Sequence, residues 1–100
     1  MALPPFLKPL AGYDPTFAQE IGNIAALVFQ ENSLDEKTRT LIALALDTVL
    51  GASAGVASLA NQARQLGISE QEIADTLRLA YFTAGCSVLT TSFAAFEKKE

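Results

Sequence analysis

Three observations in this 100-residue chain predict an all-helical fold. Apolar residues recur at three- and four-residue spacing, two Ser-x-x-Glu capping boxes stand before apolar runs, and no alternating strand-like pattern exceeds a few residues. The length fits one domain, residues 1–100, of five main helices. Residues 1–13 contain Pro4, Pro5, Pro9 and Gly12, which favours an extended arm docked by Phe6, Leu7 and Leu10. Asp14 then serves as an N-cap with Pro15 at the first helical position. The first helix carries Phe17, Ile21, Ile24, Ala25, Val28 and Phe29 as one apolar stripe, up to a polar break at Glu31-Asn32-Ser33.

Ser33 and Glu36 form the first capping box, so the second helix begins near Leu34 and runs to Gly51. Between Leu41 and Leu46 it has no polar face, the mark of a helix packed on every side. The third helix spans about Ala52 to Leu66. It turns Val56, Leu59, Ala60, Ala63 and Leu66 inward and Ser58, Asn61, Gln62 and Gln65 outward, and Gly67 ends it. These two helices make an antiparallel hairpin at the centre. Ser69 and Glu72 form the second capping box, with Ile68 and Ile73 placed as a hydrophobic staple. The fourth helix carries Ile73, Ala74, Leu77, Ala80, Tyr81 and Ala84 and ends before Gly85. A fifth, about Ser87 to Lys98, contributes Val88, Leu89, Phe93 and Phe96.

Composition excludes several function classes. The net charge is -4 and the basic residues are dispersed apart from Lys98-Lys99, so no nucleic-acid footprint is present. The longest uncharged run, Leu79 to Phe96, reaches the lower edge of a membrane span, but Thr83, Gly85, Ser87, Thr90, Thr91 and Ser92 interrupt it. The expectation is a cytoplasmic protein without a membrane segment. The only cysteine, Cys86, rules out an intramolecular disulfide, and the lack of histidine removes the usual proton shuttle and the commonest metal ligand. No metal or other cofactor is therefore expected. Half of the residues are hydrophobic and the mean hydropathy is +0.27, high for so short a chain, which predicts exposed apolar surface and a homo-oligomer.

Thr40, Leu41, Ala43, Leu44, Asp47, Gly51, Ala52, Gly55 and Leu59 are spaced in a way that resembles the carboxymuconolactone decarboxylase and alkylhydroperoxidase D family. So does the series Leu34-Asp35, Lys37-Thr38-Arg39, Leu41-Ile42, Gly51, Gly67 and Glu72-Ile73. The likeness covers about residues 7–97. It implies a compact helical bundle that self-associates as a trimer or hexamer and, in the active branch, reduces peroxides. That branch has a glutamate twelve residues before a Cys-x-x-Cys-x-x-x-His helix, and the two glycines register those positions on Thr40, Ala52, Gly55 and Leu59. None of the four has the catalytic residue type. A dithiol peroxidase needs an attacking thiolate, a resolving thiol and a base, and the decarboxylase branch needs a histidine.

Two readings of these positions follow. Ala52, Gly55 and Leu59 share a helical face with Val56 and Ala63, which makes the former site dry core, with Gly55 admitting a close neighbour. Alternatively, Asp47, two turns after Thr40, faces a pocket formed with Thr40, Gly55, Leu59 and Tyr81. Arg64, Arg78, Tyr81 and Thr83 are then its candidate partners. Function divides accordingly among a binding or assembly module holding a small apolar molecule, an enzyme using Asp47 as acid or base, and a structural subunit of a larger complex. Cys86, beside Gly85 in an apolar run, reads as a small buried hydrophobe.

Overall fold

A computed structural model describes residues 3–30 and 33–98. The predicted break at Glu31-Asn32 and the Lys99-Glu100 tail lie outside the described residues. The chain forms two compact units, Met1–Asp35 and Glu36–Glu100. Among the described residues there are five α-helices and no strand.

In the first unit the expected extended arm is replaced by short helical turns. Pro5–Leu7 form a 3-10 turn and Leu10–Tyr13 a single helical turn, α1, which packs on α2 (Pro15–Phe29). Proline fixes φ near the helical value and is tolerated in a first turn, so Pro5 begins a turn here and Pro9 stands just before one. Asp14 caps α2 as predicted: its Oδ1 accepts from the Phe17 amide at 3.1 Å, with Pro15 next in line. The buried stripe of α2 is Ala18, Gly22 and Ala25, whereas Phe17, Ile24, Val28 and Phe29 of the predicted stripe remain about half exposed.

The second unit is a helical hairpin with a third helix laid along it. α3 is Glu36–Leu50 and α4 is Ser53–Gln65. Both end in a Schellman motif on a left-handed glycine. At Gly51 (φ 75°) the Gly51 amide donates to Thr48 O at 3.2 Å and the Ala52 amide to Asp47 O at 2.9 Å. At Gly67 (φ 82°) the Gly67 amide donates to Arg64 O and the Ile68 amide to Ala63 O, both at 3.0 Å. The second motif ends with Ile68 and Ala63 together in the core, the apolar contact that accompanies this cap. Leu44, Ala63, Ile68 and Ile73 form that core, with Leu41, Val56, Leu59, Ala60, Leu66 and Leu77 packed against it.

Helix α5 departs from the sequence reading. It runs without interruption from Glu70 to Ser92, through Gly85, and continues as a 3-10 turn over Phe93–Phe96. The expected fourth and fifth helices are one. Gly85 does not adopt positive φ. A glycine in a helix interior costs about 1 kcal/mol relative to alanine but leaves the hydrogen-bond ladder intact, so it weakens a helix without ending it. α5 also outruns the hairpin. Its buried residues are Ile73 and Ala80, and Tyr81, expected inward, is 81% exposed. The expectation of packing on all sides of α3 is likewise corrected within this unit, because Ile42, Leu46 and Val49 are about half exposed.

The start of α5 carries the predicted capping box. Ser69 Oγ accepts from the Glu72 amide at 3.0 Å and Glu72 Oε1 accepts from the Ser69 amide at 2.9 Å. The backbone hydrogen bond from Ser69, then its hydroxyl and the Lys37 charge, hold the Glu72 carboxyl below its usual value. Ser69→Ala is expected to lose about 1 kcal/mol in urea denaturation.

Next to the box, Arg64 clamps Glu70 across the Gly67 turn, Nε to Oε1 at 2.6 Å and Nη2 to Oε2 at 3.2 Å. This hydrogen bond is also the main cause that holds the Glu70 carboxyl low. A carboxyl lowered in the folded state stabilises the fold above its unfolded pKa and loses that contribution as pH falls through the folded value. Thermal stability should therefore decline from about pH 4.5 downward. The decline should be shallower in Glu72→Gln, and an unchanged acid limb in that variant would contradict the assignment.

Candidate functional site

The positions singled out in the sequence separate in the fold. Thr40 is buried on α3, and its hydroxyl donates to Glu36 O at 2.8 Å, a bond within its own helix. Leu59 packs against the core cluster. Ala52 is the residue before α4 and offers no side-chain cap. Tyr81 lies on another face, where with Phe82, Gly85, Cys86, Val88 and Leu89 it borders a shallow cavity of about 290 Å³.

Asp47 and Gly55 are brought together. The Asp47 carboxylate occupies the space where a Cβ on residue 55 would stand, with its Cγ 3.0 Å from that point. Gly55 is the third residue of α4, so the carboxylate sits against the helix's first turn. There the amides free of intrahelical partners and the helix dipole favour negative charge. The N-terminus of α4 has no side-chain cap, and Gly55 is the residue that lets the carboxylate come this close to it. None of the four candidate partners is recorded bound to it: Arg64 is held by Glu70 and Asn61, and Arg78 stands 3.6 Å from Asp75.

Two variants separate these effects. Asp47→Ala is expected to destabilise by about 0.3–1 kcal/mol, as loss of a negative charge near a helix N-terminus does. Gly55→Ala gains about 1 kcal/mol of helix propensity but displaces the carboxylate, so alone it should be near neutral. Combined with Asp47→Ala it should recover the full gain. A double-mutant cycle showing simple additivity would contradict the interlock.

A concavity of this unit lies between α3 and α5. It measures about 500 Å³ and is lined by Thr38, Leu41, Ile42, Ala45, Leu46, Val49, Thr76, Leu79, Ala80, Thr83 and Ala84. Its walls are almost entirely aliphatic, and the polar atoms are threonine hydroxyls, of which Thr76 Oγ1 is bonded to Glu72 O at 2.8 Å. The groove runs beside the core without reaching Asp47, Gly55 or Leu59. Sequence reasoning missed it because the apolar run of α3 reads as helix–helix contact. The available signal was Leu79 and Thr83, which fall off the Ile73–Leu77–Ala80 stripe of α5 and face the side where Ile42, Leu46 and Val49 stand.

Comparison with known proteins places the chain in a family. The carboxymuconolactone decarboxylase family matches residues 15–98, and the chain belongs to that family. An uncharacterized protein of Methanocaldococcus jannaschii is 31% identical over 71 residues, 71% of this chain. The match spans 66% of that relative's length. No solved structure matches the chain.

Proposed function

We propose that the chain is a homo-oligomeric binding module of its family, working without the family's thiol or histidine chemistry and holding a small apolar molecule in the α3–α5 groove. The groove carries the reading. Its volume of about 500 Å³ lies within the range of small-molecule sites, and its aliphatic walls offer burial with threonine hydroxyls for orientation. The family resemblance registers the peroxidase residues on Thr40, Ala52, Gly55 and Leu59, none of which is a glutamate, cysteine or histidine, and the sequence contains no histidine. The exposed apolar side chains of α2, α3 and α5 support self-association, and the family resemblance is what favours a trimer or hexamer.

The test is a fluorescence titration with N-phenyl-1-naphthylamine, an uncharged apolar probe. Saturable binding is expected, reduced at least tenfold in Ala45→Trp, whose indole fills the groove, with an unchanged circular dichroism spectrum. Binding of equal strength in the variant would refute the site. Peroxide consumption with dithiothreitol should match a protein-free control, in the chain and in Cys86→Ser alike. Turnover lost in that variant would make Cys86 a nucleophile.

A further inference from the structure

Helix α5 has a second face, turned away from both the core and the groove. Phe82, Gly85, Leu89 and Ser92 follow one another at spacings of three, four and three, so they form one straight seam, and Phe96 extends it into the 3-10 turn. Tyr81 and Val88 flank the seam on one side and Cys86 and Phe93 on the other. No charged residue occurs from Leu79 to Phe96. Six side chains of this face, Tyr81, Phe82, Val88, Leu89, Phe93 and Phe96, are 61–81% exposed.

We propose that this seam pairs antiparallel with α5 of a second copy of the chain, Gly85 admitting the partner's Leu89. The inference rests on the homo-oligomeric half of the proposed function and names its contact. Four lines of argument converge on it. Among the described residues nothing lies within 4 Å of a Cβ placed on Gly85, so no contact among them accounts for a glycine in mid-helix. The six exposed side chains offer on the order of 700 Å², close to the roughly 800 Å² per partner of a standard interface.

Large and small residues alternate along the seam so that an antiparallel register puts Phe82 on the partner's Ser92 and Leu89 on the partner's Gly85. A parallel pair would set phenylalanine on phenylalanine and glycine on glycine. It would also bring Glu70, Glu72 and Asp75 of the two copies together, which the antiparallel pair keeps at opposite ends. A twofold contact of this kind fits a hexamer built from three pairs and excludes a bare trimer.

A membrane is the competing occupant, because the helical stretch Glu70–Phe96 is long and apolar enough to cross one by length and composition. The net charge of -4 repels an anionic surface, and Gly85, Ser87, Thr90, Thr91 and Ser92 put small and polar groups where lipid would favour large apolar ones.

The experiment uses the full chain at tens of micromolar. Sedimentation equilibrium should give an even multiple of the 10.6 kDa subunit. A short bismaleimide should join Cys86 to the partner's Cys86, since the proposed register sets them about 3 Å apart along the axis. Gly85→Leu, which meets nothing in its own subunit, should retain the circular dichroism spectrum, lose the crosslink and weaken pairing at least 100-fold.

A wild-type oligomer whose mass and crosslink survive Gly85→Leu would overturn this interface while leaving self-association standing. A wild-type monomer would overturn both, and the naphthylamine titration on the same sample reports the groove separately. Flotation of the wild-type chain with phosphatidylcholine vesicles should leave it in the unbound fraction, and co-flotation that Gly85→Leu keeps or strengthens would assign the seam to lipid instead.

Discussion

Leu44→Ala is expected to cost about 2–5 kcal/mol, the range for deleting a fully buried leucine side chain. Leu44 has no solvent exposure and sits where α3 meets Ala63 of α4, Ile68 of the turn and Ile73 of α5. The truncation therefore opens a void facing three segments at once. Relief by collapse is limited, because two of those neighbours are pinned: Ile68 donates its amide to Ala63 O, and Ile73 donates to Ser69 O at 3.0 Å. Native proteins hold about 5–15 kcal/mol in total, so the loss is a large fraction of what this small chain has. The measurement is urea denaturation followed by circular dichroism, and a cost below about 1 kcal/mol would mean that the core lies elsewhere.

Ala63→Asp should be worse at neutral pH. Ala63 is fully buried and shares its core cluster with Leu44, Ile68 and Ile73. A carboxyl placed in such a site is held protonated to about pH 8, and at pH 7 that displacement from its unfolded value corresponds to about 4 kcal/mol. The sign of its pH dependence is diagnostic. A raised folded pKa means that the penalty is small below the unfolded value, near pH 4, and grows as pH rises above it. Wild type runs the other way on the acid side, through Glu70 and Glu72. The stability gap between variant and wild type should narrow on going from pH 7 to pH 4, and a constant gap would show the introduced carboxyl to be solvated.

What was legible in the sequence follows physical range. Asp14-Pro15, Ser69 with Glu72, Gly51 and Gly67 act within four residues of themselves, and each was read correctly as a start or a stop. The inward face of α4 was equally legible, because Val56, Leu59, Ala60, Ala63 and Leu66 repeat at the helix period over a well-capped element. Gly85 was misread because the same residue ends a helix at positive φ and merely weakens one at negative φ, a choice that composition does not record.

The site was less legible than the fold. Asp47 and Gly55 belong to different helices, and their fit depends on how the Gly51 turn folds α4 back on α3. Arg64 was drawn as a partner for Asp47, but the turn at Gly67 delivers Glu70 to it first. The apolar run of α3 gave no warning that one side would open on a groove, since burial against a helix and burial against a ligand require the same side chains.

The unbroken course of α5 has a consequence for the order of events in folding. At 23 residues the helix is about 35 Å long, but its buried residues are Ile73 and Ala80, so its far half has no core to hold it. A free helix of a dozen residues is marginal in water, and here Gly85 weakens it further. Amide protection should therefore grade along a single helix, highest near Ile73 and lowest toward Ser92, and steepen with dilution if the partner supplies the missing contacts. The subunit would then finish its own secondary structure only on meeting another copy, so that assembly is the last step of folding.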